Sequence, residues 1–192
     1  MKVETILQII SLAFVTLMTP GPNNLMLMAS GTNFGIKRTL PHAIGVVLGF
    51  SLMVVGVWLG MMNIFEAWPW TQKALRIVST IYLIYLAYKI ATVSPAIEVS
   101  KTSKPFKFYQ AVLFQWVNPK AWSMSIGAVS LFAPDGALSS VVLLSSIFLC
   151  IAIISSSTWT LLGVKLQKLN LKETHIRVFN VVMGLLLIFS IF

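Results

Sequence analysis

Thr19-Pro20-Gly21-Pro22-Asn23-Asn24 and Asn118-Pro119-Lys120 are the two stretches on which the fold of this chain turns. Each falls in the middle of an apolar run, residues 5–30 and 108–132. Proline lacks an amide donor and collides with the carbonyl four residues back, so a helix stops there. In hydrocarbon the polar groups freed by such a stop have no water to turn to. A break at membrane depth is therefore tolerated only inside protein or beside a polar cavity. Two breaks in corresponding places of two halves are the sequence pattern of a transporter's binding site.

The surrounding composition is that of a membrane protein. Of 192 residues, 57% are hydrophobic and 10% charged, where a soluble domain carries about a quarter charged. Mean hydropathy is +0.88. Besides the two broken runs there are four more, at residues 41–62, 73–93, 138–163 and 172–192. Most offer about 20 residues, enough for a hydrocarbon core roughly 30 Å thick. The last is the shortest, because it must begin near Lys172 and let Arg177 snorkel to the interface. The first run does not read as a cleaved leader. Glu4 follows Lys2, and Met18-Thr19-Pro20-Gly21-Pro22 is not a small-x-small site. Cys150 is the single cysteine, which excludes an internal disulfide or a Cys-x-x-Cys pair and suggests a small buried hydrophobe.

Pro20 and Pro119 stand 99 residues apart, and the centres of the second and fifth runs, near Ser51 and Cys150, keep the same offset. This predicts an all-α integral membrane protein of six transmembrane helices. Residues 1–93 and 108–192 form two three-helix repeats, joined by a basic linker at 94–107, with the first and fourth helices broken. Three spans per half oblige the second repeat to enter from the opposite side. The charges agree. Lys37-Arg38 mark the first connection; Lys89, Lys101, Lys104 and Lys107 flank the third, against Glu98; Lys165, Lys168, Lys172 and Arg177 flank the fifth, against Glu173. The second connection and its flanks carry Glu66, Lys73 and Arg76, and the fourth only Asp135. Lys and Arg gather on the cytoplasmic side, so connections one, three and five face inward and both termini lie outside. The net charge of +9 is thus a topology signal with some attraction for anionic lipid, not a nucleic-acid footprint.

The breaks supply the candidate site: Pro20, Gly21, Pro22, Asn23, Asn24, Gln115, Asn118, Pro119, Lys120 and Trp122. Pro20, Pro22 and Pro119 would free the carbonyls of Thr16, Met18 and Gln115. The half-helix starting near Asn23 would present unpaired N–H groups suited to a carboxylate. Carbonyls on one side and N–H groups on the other fit a zwitterion, although a plain structural kink uses the same residues. Lys120, 13 residues beyond Lys107, is the one charged residue placed deep in a span, where an ionisable group is a functional hypothesis by default. It would grip a substrate carboxylate, carry a proton, or simply snorkel.

Gln115, Asn118 and Trp122 share a helical face by spacing, and Trp116 and Trp122 bracket the break either as cavity walls or as packing. Tyr82 and Tyr85 read as core, Tyr88 as an interface anchor, and His42 as an interface marker with a proton relay as the lesser reading. Gly45-x-x-x-Gly49 and Gly56-x-x-x-Gly60 permit close helix approach within the monomer or in a homo-oligomer. Ser155, Ser156, Ser157 and Thr158 either line a path or bond back to their own helix.

No zinc-binding, phosphate-cradling or paired-carboxylate motif is present in the sequence. One cysteine and two distant histidines are a poor ligand set for a transition metal, and no cofactor is expected. A membrane thiol-redox protein would need a cysteine pair. A non-transporting structural or assembly subunit is the remaining alternative, with no use for Lys120 at mid-membrane.

Pro20-Gly21-Pro22-Asn23, followed by Gly35, Gly45 and Gly49, resembles the first half of the LysE/RhtB amino-acid exporters. Asn118-Pro119-Lys120-Ala121 resembles that family's second-half motif. The resemblance spans essentially the whole chain and is nearest the cysteine/O-acetylserine branch. It implies proton-driven efflux of small amino acids or their derivatives across a bacterial inner membrane, with Pro20, Gly21, Pro22, Asn23, Asn118, Pro119 and Lys120 at the site. Many members carry Asp where this chain has Asn23, so a carboxylate proton carrier is missing here.

Overall fold

The computed structural model describes residues 3–92, 104–134, 136–169 and 172–190. Most of the 94–107 linker, with Glu98 and Lys101, lies outside them, as do Asp135 and the side chain of Glu66. Every regular element among the described residues is helical. Helix α1 (Val3–Met18) runs into the first break and α2 (Pro22–Gly56) leaves it; α5 (Phe108–Trp116) and α6 (Pro119–Phe132) flank the second. The prolines that stop one helix also start the next. Pro22 and Pro119 occupy first-turn positions of α2 and α6, where a missing N–H costs nothing because no intrahelical carbonyl faces it.

At 35 residues, a straight α2 would measure about 52 Å, well beyond a hydrocarbon core of about 30 Å. It does not run straight. Gly35 adopts φ 73°, ψ 177°, backbone that essentially only glycine supplies. Around it the chain folds back, bringing the hydroxyls of Ser30 and Thr39 to 2.9 Å, where nine residues of straight helix would separate them by about 13 Å. The first connection is therefore Gly35 alone. Lys37 and Arg38, expected in a loop, sit instead on the exposed start of the second limb.

A π-helical turn at Val57–Met61, with Gly60 at φ 96°, closes that limb. Then come the short α3 (Met62–Ala67), α4 (Trp70–Ala91), α7 (Leu138–Lys168) and α8 (Glu173–Phe189). By length and composition Pro22–Met61, Trp70–Ala91 and Leu138–Lys168 can cross a membrane, so the chain is a multi-pass membrane protein.

Small residues set the packing. The largest helix interface joins α2 to α7, where Gly31 abuts the carbonyl of Thr160 and Gly163 abuts that of Met28, so closely that either Cβ would collide. Thr32 donates to the Gly163 carbonyl at 3.1 Å. Gly45 and Gly49 lie on Phe108, Ala111 and Val112 of α5, so this glycine pair works within the monomer. Gly184 of α8 faces Ala87 of α4. Lipid tails are as apolar as leucine, so such backbone-close contacts and cross-helix hydrogen bonds carry association in a membrane.

Outward faces are apolar, with Leu7, Leu52, Ile81, Leu113 and Ile153 exposed, as helices bathed in lipid require. Cys150 belongs to this surface, which corrects the expectation of a buried hydrophobe. Tyr82 is half-buried, stacked on Tyr85 and tilted against Phe114, whereas Tyr85 is exposed, which corrects its core reading, as is Tyr88.

Candidate functional site

Where α1 ends, its last turn holds carbonyls that the broken helix cannot satisfy. Their partners come from three other elements. Asn24 Nδ2 donates to the carbonyls of Leu17 at 2.7 Å and Thr19 at 2.9 Å. Ser155 Oγ of α7 donates to the same Leu17 carbonyl at 2.7 Å. Lys120 Nζ, from the second break, donates to the Thr19 carbonyl at 2.9 Å and the Thr19 hydroxyl at 2.8 Å, with the Pro20 carbonyl at 3.5 Å. Thr16 O, freed by Pro20, takes the Thr19 hydroxyl at 2.9 Å. At the second break the Gln115 carbonyl, freed by Pro119, takes the amide of Asn118 at 3.2 Å.

The two half-helix starts are treated differently. Asn118 Oδ1 caps α6 by accepting from the amide of Lys120 at 3.1 Å. Helix α2 has no side-chain cap, and its first returning amide is that of Leu25, to Gly21 O at 2.9 Å. The N–H groups of Asn23 and Asn24 thus have no intrahelical carbonyl to meet. Both residues line a narrow cleft of about 20 Å³, with Gly21, Asn118 and Lys120 among its other walls. Gly21 is extended at φ −169°, a backbone any residue adopts. A Cβ there would lie 2.9 Å from Lys120 Cδ and Nζ, so a larger residue would push the lysine side chain from its place.

Behind the cleft Asn23 and Gln115 exchange two hydrogen bonds, Nδ2 to Oε1 at 2.8 Å and Nε2 to Oδ1 at 3.1 Å. The breaks are therefore joined twice, by a lysine on carbonyls and by an amide pair.

Against known proteins, the LysE type translocator model matches residues 14–190. The chain belongs to the LysE type translocator family. As a member it is a transporter and not an enzyme. Among its relatives, a cysteine/O-acetylserine efflux protein of Escherichia coli O139:H28 is 33% identical over 180 residues, 91% of this chain and 89% of that protein. The like-named proteins of Escherichia coli strain K12 and Shigella flexneri serotype 5b are 32% identical over the same spans. No solved structure matches the chain.

Nine of the ten residues singled out in this translocator's sequence gather at the breaks. The tenth, Trp122, turns away. Its Nε1 donates to the Trp116 carbonyl at 2.9 Å, its ring meets Phe65 edge-on at 4.8 Å, and it lines an apolar hollow against α3 and α4. The spacing that put it on a face with Gln115 assumed one continuous helix, and the stop at Val117 and Asn118 rotates that face away. His42 is enclosed by protein. It is 1% exposed with its ring 5.2 Å from that of Phe106. Thr19, at the first break but not among the ten, meets both Thr16 O and Lys120; Pro20 after it was the signal. Ser155 stood undistinguished among four hydroxyls; Thr158 bonds back to Ile154 O at 2.8 Å, whereas Ser155 crosses to α1. A second amide pair went unseen, Asn33 of α2 with Asn180 of α8, at 2.8 and 3.1 Å.

Proposed function

We propose that this translocator is a secondary transporter exporting small amino acids or their derivatives from the cytoplasm across the bacterial inner membrane, by alternating access of two inverted three-helix repeats around the two breaks. The observation that carries the reading is Lys120 Nζ on the Thr19 carbonyl at 2.9 Å, a cation of the second break held on the backbone of the first, which supports a site shared by the two. That ammonium occupies the position a substrate ammonium would take. A zwitterion entering the cleft offers its carboxylate to Lys120 and to the uncapped N–H groups of Asn23 and Asn24. Its ammonium then replaces Lys120 on the carbonyls of Thr19 and Pro20. Substrate so exchanges an internal bridge between halves for two bonds to itself, and the halves are free to rock. The names of the relatives point to cysteine and O-acetylserine as first cargo to try. For proton coupling, Lys120 is the ionisable group available at the site.

The test is efflux from cells or vesicles loaded with O-acetylserine or cysteine. Lys120→Gln should insert normally and lose export. Undiminished efflux by that variant would remove Lys120 and the exchange from the mechanism.

A further inference from the structure

Asn23, Met26, Ser30 and Asn33 follow one another at i, i+3, i+7 and i+10, and so share one face of the first limb of α2. At the upper end of this face Asn23 lines the break cleft. Lower down, Met26, Ser30 and Asn33 line a separate cavity of about 230 Å³ that also reaches α4 and the start of the segment before α5. One helix face thus connects the two hollows, with Met26 between the amides. The cavity has apolar walls, from Phe34, Leu86 and Phe106, and two exposed cations at Lys89 and Lys104. No acidic side chain lines it among the described residues.

His42 is the decisive group. It lines this cavity while 1% exposed, and neither ring nitrogen has a hydrogen-bond partner among the described residues. A buried imidazole left so is rare enough in folded proteins to need an explanation, and a ligand is one. Neutral imidazole offers one donor and one acceptor, a match for the carboxylate and ammonium of an amino acid. Two lysines, with no acid among the described lining residues, favour the negative end.

We infer that this cavity is the receiving vestibule of the transport path, a second site that binds a small amino-acid carboxylate through Lys89, Lys104 and His42 before it passes Met26 to the breaks. The inference rests on the exporter reading above. Lys89 and Lys104 belong to the basic third connection, which the positive-inside rule assigns to the cytoplasm, the side from which an exporter loads.

The experiment uses the full chain in discs of phosphatidylcholine, with Cys150→Ser removing the native thiol and Ile90→Cys placing one on the half-buried cavity wall. Alkylation by N-ethylmaleimide is timed with and without O-acetyl-L-serine. Protection of several-fold is expected, retained when Lys120→Gln is added and lost in the Lys89→Ala/Lys104→Ala double variant. His42→Leu should abolish protection and His42→Gln restore part of it. Absent protection, or protection indifferent to both lysines and His42, overturns the vestibule. Slowing by phosphatidylglycerol in the disc, with none by O-acetyl-L-serine, makes the cavity a lipid headgroup site and overturns it too. Failure here is distinct from failure of the exporter reading. If Lys120→Gln stops efflux while Ile90→Cys is never protected, the transporter stands without this site. If protection occurs while Lys120→Gln exports normally, the vestibule stands and the exchange at the breaks falls.

Discussion

The carbonyls of Leu17 and Thr19 each accept two donors, Leu17 from Asn24 and Ser155, Thr19 from Asn24 and Lys120. Such doubling makes the consequences of substitution unequal. Ser155→Ala leaves Asn24 on Leu17 O, and Asn24→Ala leaves Ser155 there, so either alone should cost about 1 kcal/mol or less, in the range of single membrane hydrogen bonds. Removing both strands a buried acceptor, a loss of about 1–3 kcal/mol. The double variant should therefore lose more than the sum of the singles, a non-additivity that marks a shared partner. Thermal unfolding of the four proteins in one detergent reads it; strictly additive shifts would mean the two side chains do not share Leu17 O. Stability is the right observable for this pair and efflux the right one for Lys120, because the latter's bonds are the ones substrate is proposed to take over.

At the level of helices, glycine performs two different tasks, and only one is legible from spacing. Gly45 and Gly49 announce a contact by their four-residue interval, and the contact exists, on α5. Gly163 belongs to no such pair in sequence, and Gly31 pairs only with Gly35, which makes the reversal; yet a Cβ at Gly31 or Gly163 would strike the carbonyl of the facing helix. Gly163→Ala should consequently cost about 1–3 kcal/mol by overpacking. Gly127 in α6 has nothing within 4 Å of where a Cβ would stand; Gly127→Ala should stabilise by up to about 1 kcal/mol through helix propensity alone. Opposite shifts in melting temperature are expected, and a neutral Gly163→Ala would show that α2 and α7 can part without loss. Gly35 shows the limit of reading a hydrophobic profile. Lys37-Arg38 looked like the loop, because charge interrupts the apolar run there, whereas the reversal is made by one left-handed glycine ahead of them. The breaks themselves were legible, since proline's missing donor acts locally. Trp122 was not, because its direction depends on how far α6 is rotated after the stop.

Over the whole molecule, the order of elements can be read from hydropathy, but sidedness is carried by lysine and arginine alone. Exposed cations form three groups, Lys37 and Arg38 after the Gly35 reversal, Lys89 and Lys104 around the third connection, and Lys165, Lys168 and Lys172 around the fifth, while Lys73 and Arg76 stand apart at the second. If each reversal alternates sides, all three groups fall on one face, and the positive-inside rule makes that face cytoplasmic. The contact of α4 with α8 also pairs the third run of one half with the third run of the other, as an internal two-fold would. His42 could not be assigned by such reasoning: its sequence neighbours put it near an interface, and only the fold-back at Gly35 together with Phe106 encloses it. If the chain crosses six times with the basic connections inside, alkaline phosphatase fused after Phe192 should be active and a green fluorescent protein fused there should stay dark. Substituting Lys37 and Arg38 by glutamine should weaken this bias without inverting it, since the third and fifth connections keep their charges. A fluorescent fusion to the parent chain would place the lysine-rich face outside. The Lys89 and Lys104 cavity would then open away from the cargo, and the direction of transport, not only the topology, would have to be reversed.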